Sequence, residues 1–197
     1  MAIKINSGWC RGLTLKSPPT SHTRPTASRT REAVWNSLQF DIQGSKIIDL
    51  FSGSGAIGLE AISRGAAQCL LIDNNFQAVT CLKSNVKQVL SRAKTQTRSP
   101  QVKVLKGDAS QVLSSQKEKY WDLIWVDPPY DLVPKLLGKI AEESYKALKI
   151  GGKLIVECDE GGLGAVSVLR DSSIWYERKH KRYGKAYITI LEKEGDE

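Results

Sequence analysis

An aspartate, two prolines and a tyrosine follow an apolar run near the middle of the chain. The run from Leu123 to Val126 predicts a buried strand, which must end at Pro128 and Pro129 because proline cannot donate to a sheet ladder. Asp127 then lies at the carboxyl end of a strand, where open α/β sheets bind ligands. A carboxylate and a stiff neighbouring carbonyl can accept both N–H bonds of a flat conjugated amine, while Tyr130 stacks on its ring. This corner predicts a site for the exocyclic amine of a nucleobase.

A glycine loop lies upstream, between a predicted strand and a predicted helix. Gly53, Gly55 and Gly58 form a G-x-G-x-x-G motif, and Asp73 follows about 20 residues later, where the next predicted strand ends. The pattern matches nicotinamide and flavin sites. Small residues let any ligand approach the backbone, however, and an acid in this place can bind a ribose diol. S-adenosylmethionine, which has the ribose without the pyrophosphate, fits the same motif.

Two further acids at strand ends favour S-adenosylmethionine. Asp49 begins the loop, where a carboxylate could hold a charged amino-acid group, and Asp108 ends the third strand, where it could accept from an adenine amino group. Each acid alone could merely cap a helix. Glu60 is read as a carboxylate near a helix start that the helix dipole favours. The predicted cofactor site comprises Asp49, Gly53, Ser54, Gly55, Gly58, Asp73, Asn74, Asp108 and Ala109.

Apolar strands alternate with amphipathic helices over residues 47–158, which predicts a parallel sheet with right-handed crossovers. Alternating residues predict a hairpin at each end, over 2–16 and 174–191. Several local predictions can be checked against the structure. The helix after Ser28 buries Ala33, Val34, Ser37 and Leu38, and a later helix ends at Gly151-Gly152 before a strand over 153–158. We place an N-terminal extension at 1–40 and the catalytic domain at 41–197.

Composition narrows the class of protein. The chain has 197 residues, 41% of them hydrophobic, and no apolar run approaches the roughly 18 residues of a membrane span. The N-terminus shows no apolar signal region, so we expect a cytoplasmic protein. The four cysteines lack CxxC spacing and are predicted to be buried thiols, and two histidines are too few to suggest a metal site.

Positive charge is concentrated in three segments. The formal net charge is +8, and residues 1–31, 74–107 and 178–185 contain basic residues but no acid. Clustered charge of this kind favours a polyanionic partner, although basic faces can also be simply solvated. The residues predicted to bind RNA phosphates are Lys179, Lys181, Arg182 and Lys185.

With these residues in view, the chain resembles the RsmD-type methyltransferases of bacteria, which modify the exocyclic N2 of a guanine in small-subunit (16S) ribosomal RNA. The resemblance covers nearly the full length, and the order and spacing of its motifs make it specific. The motifs are GWCRGLTL at 8–15, TRPT at 23–26, RTREAVWNSL at 29–38, DLFSGSGAIGLEA at 49–61, SRGA at 63–66, DPPY at 127–130 and YG at 183–184.

The resemblance implies a class I S-adenosylmethionine-dependent methyltransferase of Rossmann-like α/β fold. Its seven-stranded, mostly parallel sheet would have helices on both faces, an antiparallel C-terminal strand and a small N-terminal extension. It implies S-adenosylmethionine as donor and Asp127, Pro128, Pro129 and Tyr130 as the catalytic corner. The implied partner is 16S ribosomal RNA, the small ribosomal subunit or its assembly intermediate. We expect a monomer. Trp35 and Ser52 replace the more usual Phe and Ala, and the loop over 91–101 is longer and more basic than usual.

Some roles remain open at this point. Arg24, Thr26, Arg31, Glu32 and Asn36 are predicted to cover the cofactor or the target base. Alternatively, Arg29, Arg31 and Glu32 form only a solvated helix start. Other functions are also compatible with parts of the pattern. They are methylation of adenine N6 or cytosine N4 in DNA, methylation of protein glutamine, which usually has Asn in place of Asp127, and RNA binding without catalysis.

Overall fold

The computed structural model describes residues 3–19, 28–93 and 99–195. The chain forms two compact units, Met1–Gly107 and Asp108–Glu197. Their strands include a small two-stranded sheet and a main sheet of seven strands. The main sheet is mostly parallel and its C-terminal strand is antiparallel, which confirms the predicted fold class. The boundary between extension and catalytic domain near residue 40 stays a prediction.

The first unit contains three parallel strands in the order β5-β4-β3. Its strands and helices are β1 (Ile3–Lys4), β2 (Thr14–Leu15), α1 (Ser28–Ser37), α2 (Gln39–Ile42), β3 (Lys46–Asp49), α3 (Ala56–Ser63), β4 (Gln68–Asp73), α4 (Phe76–Arg92) and β5 (Gln101–Lys106). Continuous apolar runs make β3 and β4 buried strands, as expected where helices cover both faces. The strands therefore end together at one edge, which carries Asp49 and Asp73.

The N-terminal hairpin is confirmed, and its turn is docked on the end of α3. The Trp9 N–H donates to the Ser63 carbonyl at 3.0 Å, and the Cys10 N–H donates to Ser63 Oγ at 2.8 Å. A Cβ on Gly8 would lie 1.8 Å from that same carbonyl oxygen, so only glycine permits the approach. The hairpin is thus fixed to the helix that follows the glycine loop.

The predicted buried face of α1 is partly wrong. Val34 and Leu38 are buried, but Ser37 is exposed and Arg31 and Trp35 are buried in its place. Apolar periodicity did not include the arginine in the buried face, because a charged residue is rarely buried unless it is paired. Arg31 is paired, as described below.

The second unit contains four strands in the order β6-β7-β9-β8. Its elements are α5 (Ala109–Ser114), β6 (Trp121–Val126), α6 (Val133–Ala147), β7 (Leu148–Cys158), α7 (Leu163–Arg170), β8 (Trp175–Tyr183) and β9 (Ala186–Lys193), with single 3-10 turns at Tyr130–Leu132 and Glu160–Gly162. β7 is parallel to β6, and β9 is antiparallel to both β7 and β8. The C-terminal hairpin is therefore confirmed as the outer part of this unit's sheet.

Two predictions in this unit need correction. The long helix ends at Ala147, where Leu148 becomes extended, and Gly151-Gly152 lies within β7 instead of ending the helix. Helix α7 was not predicted because three glycines over 161–164 resemble a loop. In the described part of the chain no helix is long and apolar enough to cross a membrane, and no group of side chains there could hold a metal ion. All four cysteines are buried and free, as predicted.

Candidate active site

The glycine loop of the first unit is fastened by Asp73. Its Oδ2 accepts from the Gly53 N–H at 2.9 Å, and its Oδ1 accepts from the Asn75 N–H at 2.8 Å. Asn75 in turn caps α4, accepting from the backbone N–H groups of Gln77 and Ala78. This cap was not predicted, although Asn directly before a helical pattern is a recognised signal. Asn74, which was predicted to bind the cofactor, is exposed, and its role stays a prediction.

The glycines of the loop have different physical roles. Gly53 has φ +52°, and a Cβ built there would meet nothing within 4 Å, so its backbone faces open space that a ligand could enter. A Cβ on Gly58 would lie 2.5 Å from Leu71 Cδ2 and 2.6 Å from Cys69 Sγ, so this glycine lets α3 pack on β4. Gly55 also has positive φ, and Ser54 beside it is buried. Among the three glycines of this motif, Gly53 is the one with open space beside its backbone.

Asp49 is a buried carboxyl group beneath the loop. It is 1% exposed, and its Oδ2 accepts from the Gly58 N–H at 3.2 Å. The pKa of Asp49 is raised to about 7, chiefly by burial; the Gly58 hydrogen bond lowers it, and the nearby Asp73 contributes to the rise. A carboxylate whose charge is penalised by burial gains most from a cationic partner. Asp49 is therefore suited to a ligand that carries a positive group.

Glu60 was read as a carboxylate that the helix dipole favours, but the structure shows it in a buried ion-pair group. It is fully buried, and its two oxygens pair with Arg31 Nε at 2.8 Å and Arg64 Nη2 at 2.9 Å. Arg31 is 2% exposed, so the reading of Arg31 as a solvated residue is wrong. Asn36 accepts from Arg64 Nη1 at 2.9 Å, whereas Glu32 is exposed.

Two of the five residues predicted to cover the cofactor or the target base take part in these contacts. Arg31 and Asn36 belong to the group that joins α1 to α3, while Arg24 and Thr26 lie outside the described residues. The covering role stays a prediction for all five residues of that set.

In the second unit, Asp108 caps α5. Its Oδ1 accepts from Ser110 Oγ at 2.6 Å and from the Gln111 N–H at 3.0 Å. The hydrogen bond from Ser110, followed by that from Gln111, lowers the pKa of Asp108 below its usual range. Ala109 is the first residue of the helix and is buried. Asp108 thus caps the helix, and binding to an adenine amino group would be a second role.

The acidic corner follows β6 directly. Val126 is the last strand residue, Asp127 is half-buried, Pro128 is buried and Pro129 is exposed. The Pro129 carbonyl accepts from the Leu132 N–H at 2.9 Å, which closes the 3-10 turn that begins at Tyr130. The corner is therefore stiffened both by two fixed proline φ angles and by a hydrogen-bonded turn, with the carboxylate at its start.

The four basic residues predicted to bind RNA lie at one end of the C-terminal hairpin. Lys179 on β8 is half-buried, and Lys181, Arg182 and Lys185 are exposed. Acids elsewhere on this hairpin are paired: Glu177 with Arg170, and Glu192 with Arg178 at 2.7 Å. Ion pairs therefore neutralise charge at the end of the hairpin far from the turn, whereas the end at the turn is positively charged.

This fold is that of class I methyltransferases, and comparisons with known proteins agree. The solved structure of yhhF from Escherichia coli, provisionally described as a methyltransferase, superposes with a TM-score of 0.79 at 26% identity and covers 100% of both chains. Residues 3–192 match the family model described as Conserved hypothetical protein 95. The chain belongs to this family, which confirms the resemblance to the RsmD-type methyltransferases.

Two relatives illustrate the relationship. YlbH of Bacillus subtilis, provisionally described as an rRNA methyltransferase, is 32% identical over 80% of this chain and 83% of its own length. Ribosomal RNA small subunit methyltransferase D of Buchnera aphidicola subsp. Baizongia pistaciae is 32% identical over 96% of this chain and 91% of its own. Such coverage means that the N-terminal hairpin and both compact units lie within the shared region.

Proposed function

We propose that this protein transfers a methyl group from S-adenosylmethionine to the exocyclic N2 of a guanine in small-subunit ribosomal RNA. The observation that carries the proposal is the position of Asp127, a carboxylate at the end of β6 in a corner stiffened by Pro128 and Pro129. Relatives named as ribosomal RNA small subunit methyltransferases support the class of substrate.

The residues of the first unit fit the methyl donor. Gly53 has open space beside its backbone, and the half-buried Asp73 next to it would bind the ribose diol. Asp49 is a buried acid, and a cationic group of the ligand would stabilise its ionised form. Asp108 in the second unit would accept from the adenine amino group. When bound, S-adenosylmethionine supplies an already activated methyl group on a positively charged sulfur.

The corner of the second unit would hold the target amine. The lone pair of an exocyclic nitrogen is conjugated into its ring, so the amine is a poor nucleophile. An Asp127 oxygen and the Pro128 carbonyl would accept its two N–H bonds and favour tetrahedral geometry at nitrogen. Because the leaving group is already activated, most of the catalysis would come from positioning and electrostatics. No strong base is required beforehand, since the alkylated nitrogen is itself acidic and Asp127 can accept its proton.

Tyr130 would stack on the guanine ring, a contact worth roughly 1–3 kcal/mol per base. A base must leave its helix to reach such a corner, so an unpaired or flipped guanine is the expected target. Basic residues of the C-terminal hairpin, with those of the first unit, would provide affinity for phosphates that falls with salt. The substrate is thus expected to be recognised by RNA shape and by unpaired bases.

A methyl-transfer assay tests the proposal. Purified protein and radiolabelled S-adenosylmethionine are incubated with 16S ribosomal RNA, 30S subunits, DNA and total protein from cells that lack the gene. Label should enter ribosomal RNA or 30S subunits, and nucleoside digestion should yield N2-methylguanosine. Label in DNA as N6-methyladenine or N4-methylcytosine, label in protein glutamine, or no label would each contradict the proposal.

A further inference from the structure

The tip of the C-terminal hairpin lies at the same sheet edge as Asp127. Val126 is paired with Val156, Val156 with Thr189, and Thr189 with His180, so these residues form one row across the four strands. β8 is parallel to β6, because β7 is parallel to β6 and β9 is antiparallel to both β7 and β8. Residues after His180 therefore extend past the same edge as Asp127. Three strand spacings separate them, roughly 14 Å.

This tip carries cations and rings in contact on both faces of the hairpin. The Arg182 guanidinium lies over the Tyr187 ring at 5.5 Å, and the His180 ring stacks on the same tyrosine, with centroids 5.9 Å apart and planes 16° apart. On the other face, Lys181 Nζ lies 5.6 Å from the centre of the Tyr183 ring. Alternating side chains thus place Arg182 with two rings on one face and Lys181 with one ring on the other.

The guanidinium group of Arg182 is also hydrogen-bonded to the backbone of the hairpin turn. Its Nε donates to the Gly184 carbonyl at 2.8 Å, and its side chain is exposed while Tyr187 is half-buried. Arg182 is therefore an exposed cation that lies over a half-buried ring, and that ring is itself stacked with His180. A charged edge strand that only avoids pairing with other sheets needs no such contact between a guanidinium group and a ring.

We propose that Arg182 and Tyr187 together bind an unpaired nucleobase of the RNA substrate. This base lies near the target guanine in the RNA sequence. Guanidinium planes and aromatic rings are the surfaces on which splayed RNA bases stack, and adjacent Lys181 and Lys185 would hold the flanking phosphates. The occupant is therefore single-stranded RNA next to the target. The inference rests on the proposed function because it takes RNA as the partner.

The experiment separates base stacking from phosphate binding. Fluorescence anisotropy measures binding of a labelled, unstructured oligouridylate and of an abasic ribose-phosphate strand of equal length, over a range of KCl. The wild-type protein should bind the base-bearing strand about tenfold more tightly. Arg182→Lys, which keeps the charge and loses the plane, should abolish most of this preference and leave the salt slope unchanged. Tyr187→Leu should also abolish the preference.

Arg178→Lys is the matched control. Arg178 is on the same strand and lies over the Tyr176 ring at 5.0 Å, but it is paired with Glu192 at the other end of the hairpin. This variant should keep the full preference for bases. Equal binding of both strands by the wild-type protein, or a preference that survives in Arg182→Lys, would overturn the inference.

A parallel assay of methyl transfer to 30S subunits keeps the two proposals apart. Methylation without a preference for bases would reject only this inference. A preference for bases that depends on Arg182, without methylation, would reject the proposed function and retain an RNA-binding hairpin. Thermal unfolding of each variant checks that the fold is retained.

Discussion

Arg31 Nε donates to Glu60 Oε2 at 2.8 Å in a part of the first unit where neither side chain is more than 2% exposed. Arg31 Nη2 also donates to the Lys4 carbonyl at 2.6 Å, and the Asn6 N–H donates to Glu60 Oε2 at 3.3 Å. One carboxylate thus connects the N-terminal hairpin, α1 and the helix that follows the glycine loop. The buried pair fixes the extension on this unit.

Glu60→Ala should destabilise the protein by about 3–5 kcal/mol, because it leaves the buried Arg31 without a counter-charge. Urea unfolding followed by circular dichroism measures the change. Glu32→Ala is the control, since Glu32 is an exposed acid on the same helix as Arg31 and its loss should change the free energy of unfolding by no more than ~0.5 kcal/mol. Equal stabilities of the two variants would contradict the structural role of Glu60.

Asp49 should make stability depend on pH. Its folded pKa is raised to about 7, so the folded protein binds more protons than the unfolded chain between about pH 4 and 7. The contribution of Asp49 is then fully present below pH 4 and is lost as pH rises through 7, with a slope up to about 1.4 kcal/mol per pH unit. Wild-type protein should lose stability over this range relative to Asp49→Asn, as measured by urea unfolding at several pH values. A constant difference would show that the carboxyl group titrates normally.

Asp73→Ala should weaken binding of S-adenosylmethionine by about tenfold or more. The substitution removes the proposed ribose acceptor and the oxygens that accept from the Gly53 and Asn75 N–H groups. Isothermal titration calorimetry measures the affinity. Asp41→Ala, which removes a carboxylate from the short helix α2, is the control and should bind as the wild type does. Unchanged affinity in Asp73→Ala would exclude the ribose role.

Replacing Lys179, Lys181 and Arg182 with Gln should flatten the salt dependence of RNA binding. Each phosphate contact to a single strand contributes about 0.7 to the slope of log affinity against log salt, so the slope should fall by about 2. Filter binding of 16S ribosomal RNA at several KCl concentrations measures it. The same change at Lys135, Lys139 and Lys146 on α6 is the charge-matched control. An equal loss in both triple variants would show that net charge, and not the hairpin, sets the affinity.

Most of the strand and helix order was predictable because each element has its own periodicity. The apolar runs of β3, β4 and β6 and the three- and four-residue spacing of α4 are local signals, and strands and helices alternate in this part of the chain as predicted. Helix α7 was missed because its glycines suit a loop as well as a helix start. The C-terminal end of α6 was misplaced because a glycine pair within a strand looks the same as a helix stop.

Part of the candidate site could likewise be predicted from local sequence, and part depends on residues that are far apart in the chain. The glycine loop and the acids at strand ends follow from motif and topology alone. The pairing of Arg31 with Glu60, 29 residues apart, does not, because a buried ion pair depends on which helices pack together. The different roles of Gly53 and Gly58 also depend on neighbours, Leu71 and Cys69, that the motif does not specify.

The central claim is that Asp127 holds the target amine during methyl transfer, and single-turnover methylation of 30S subunits by Asp127→Ala tests it most directly. Asp131→Ala, which removes an exposed carboxylate from the adjoining 3-10 turn, is the matched control. We predict that Asp127→Ala loses methylation while its affinity for S-adenosylmethionine changes little, and that Asp131→Ala retains both. Near-wild-type methylation by Asp127→Ala would contradict the assignment of this corner.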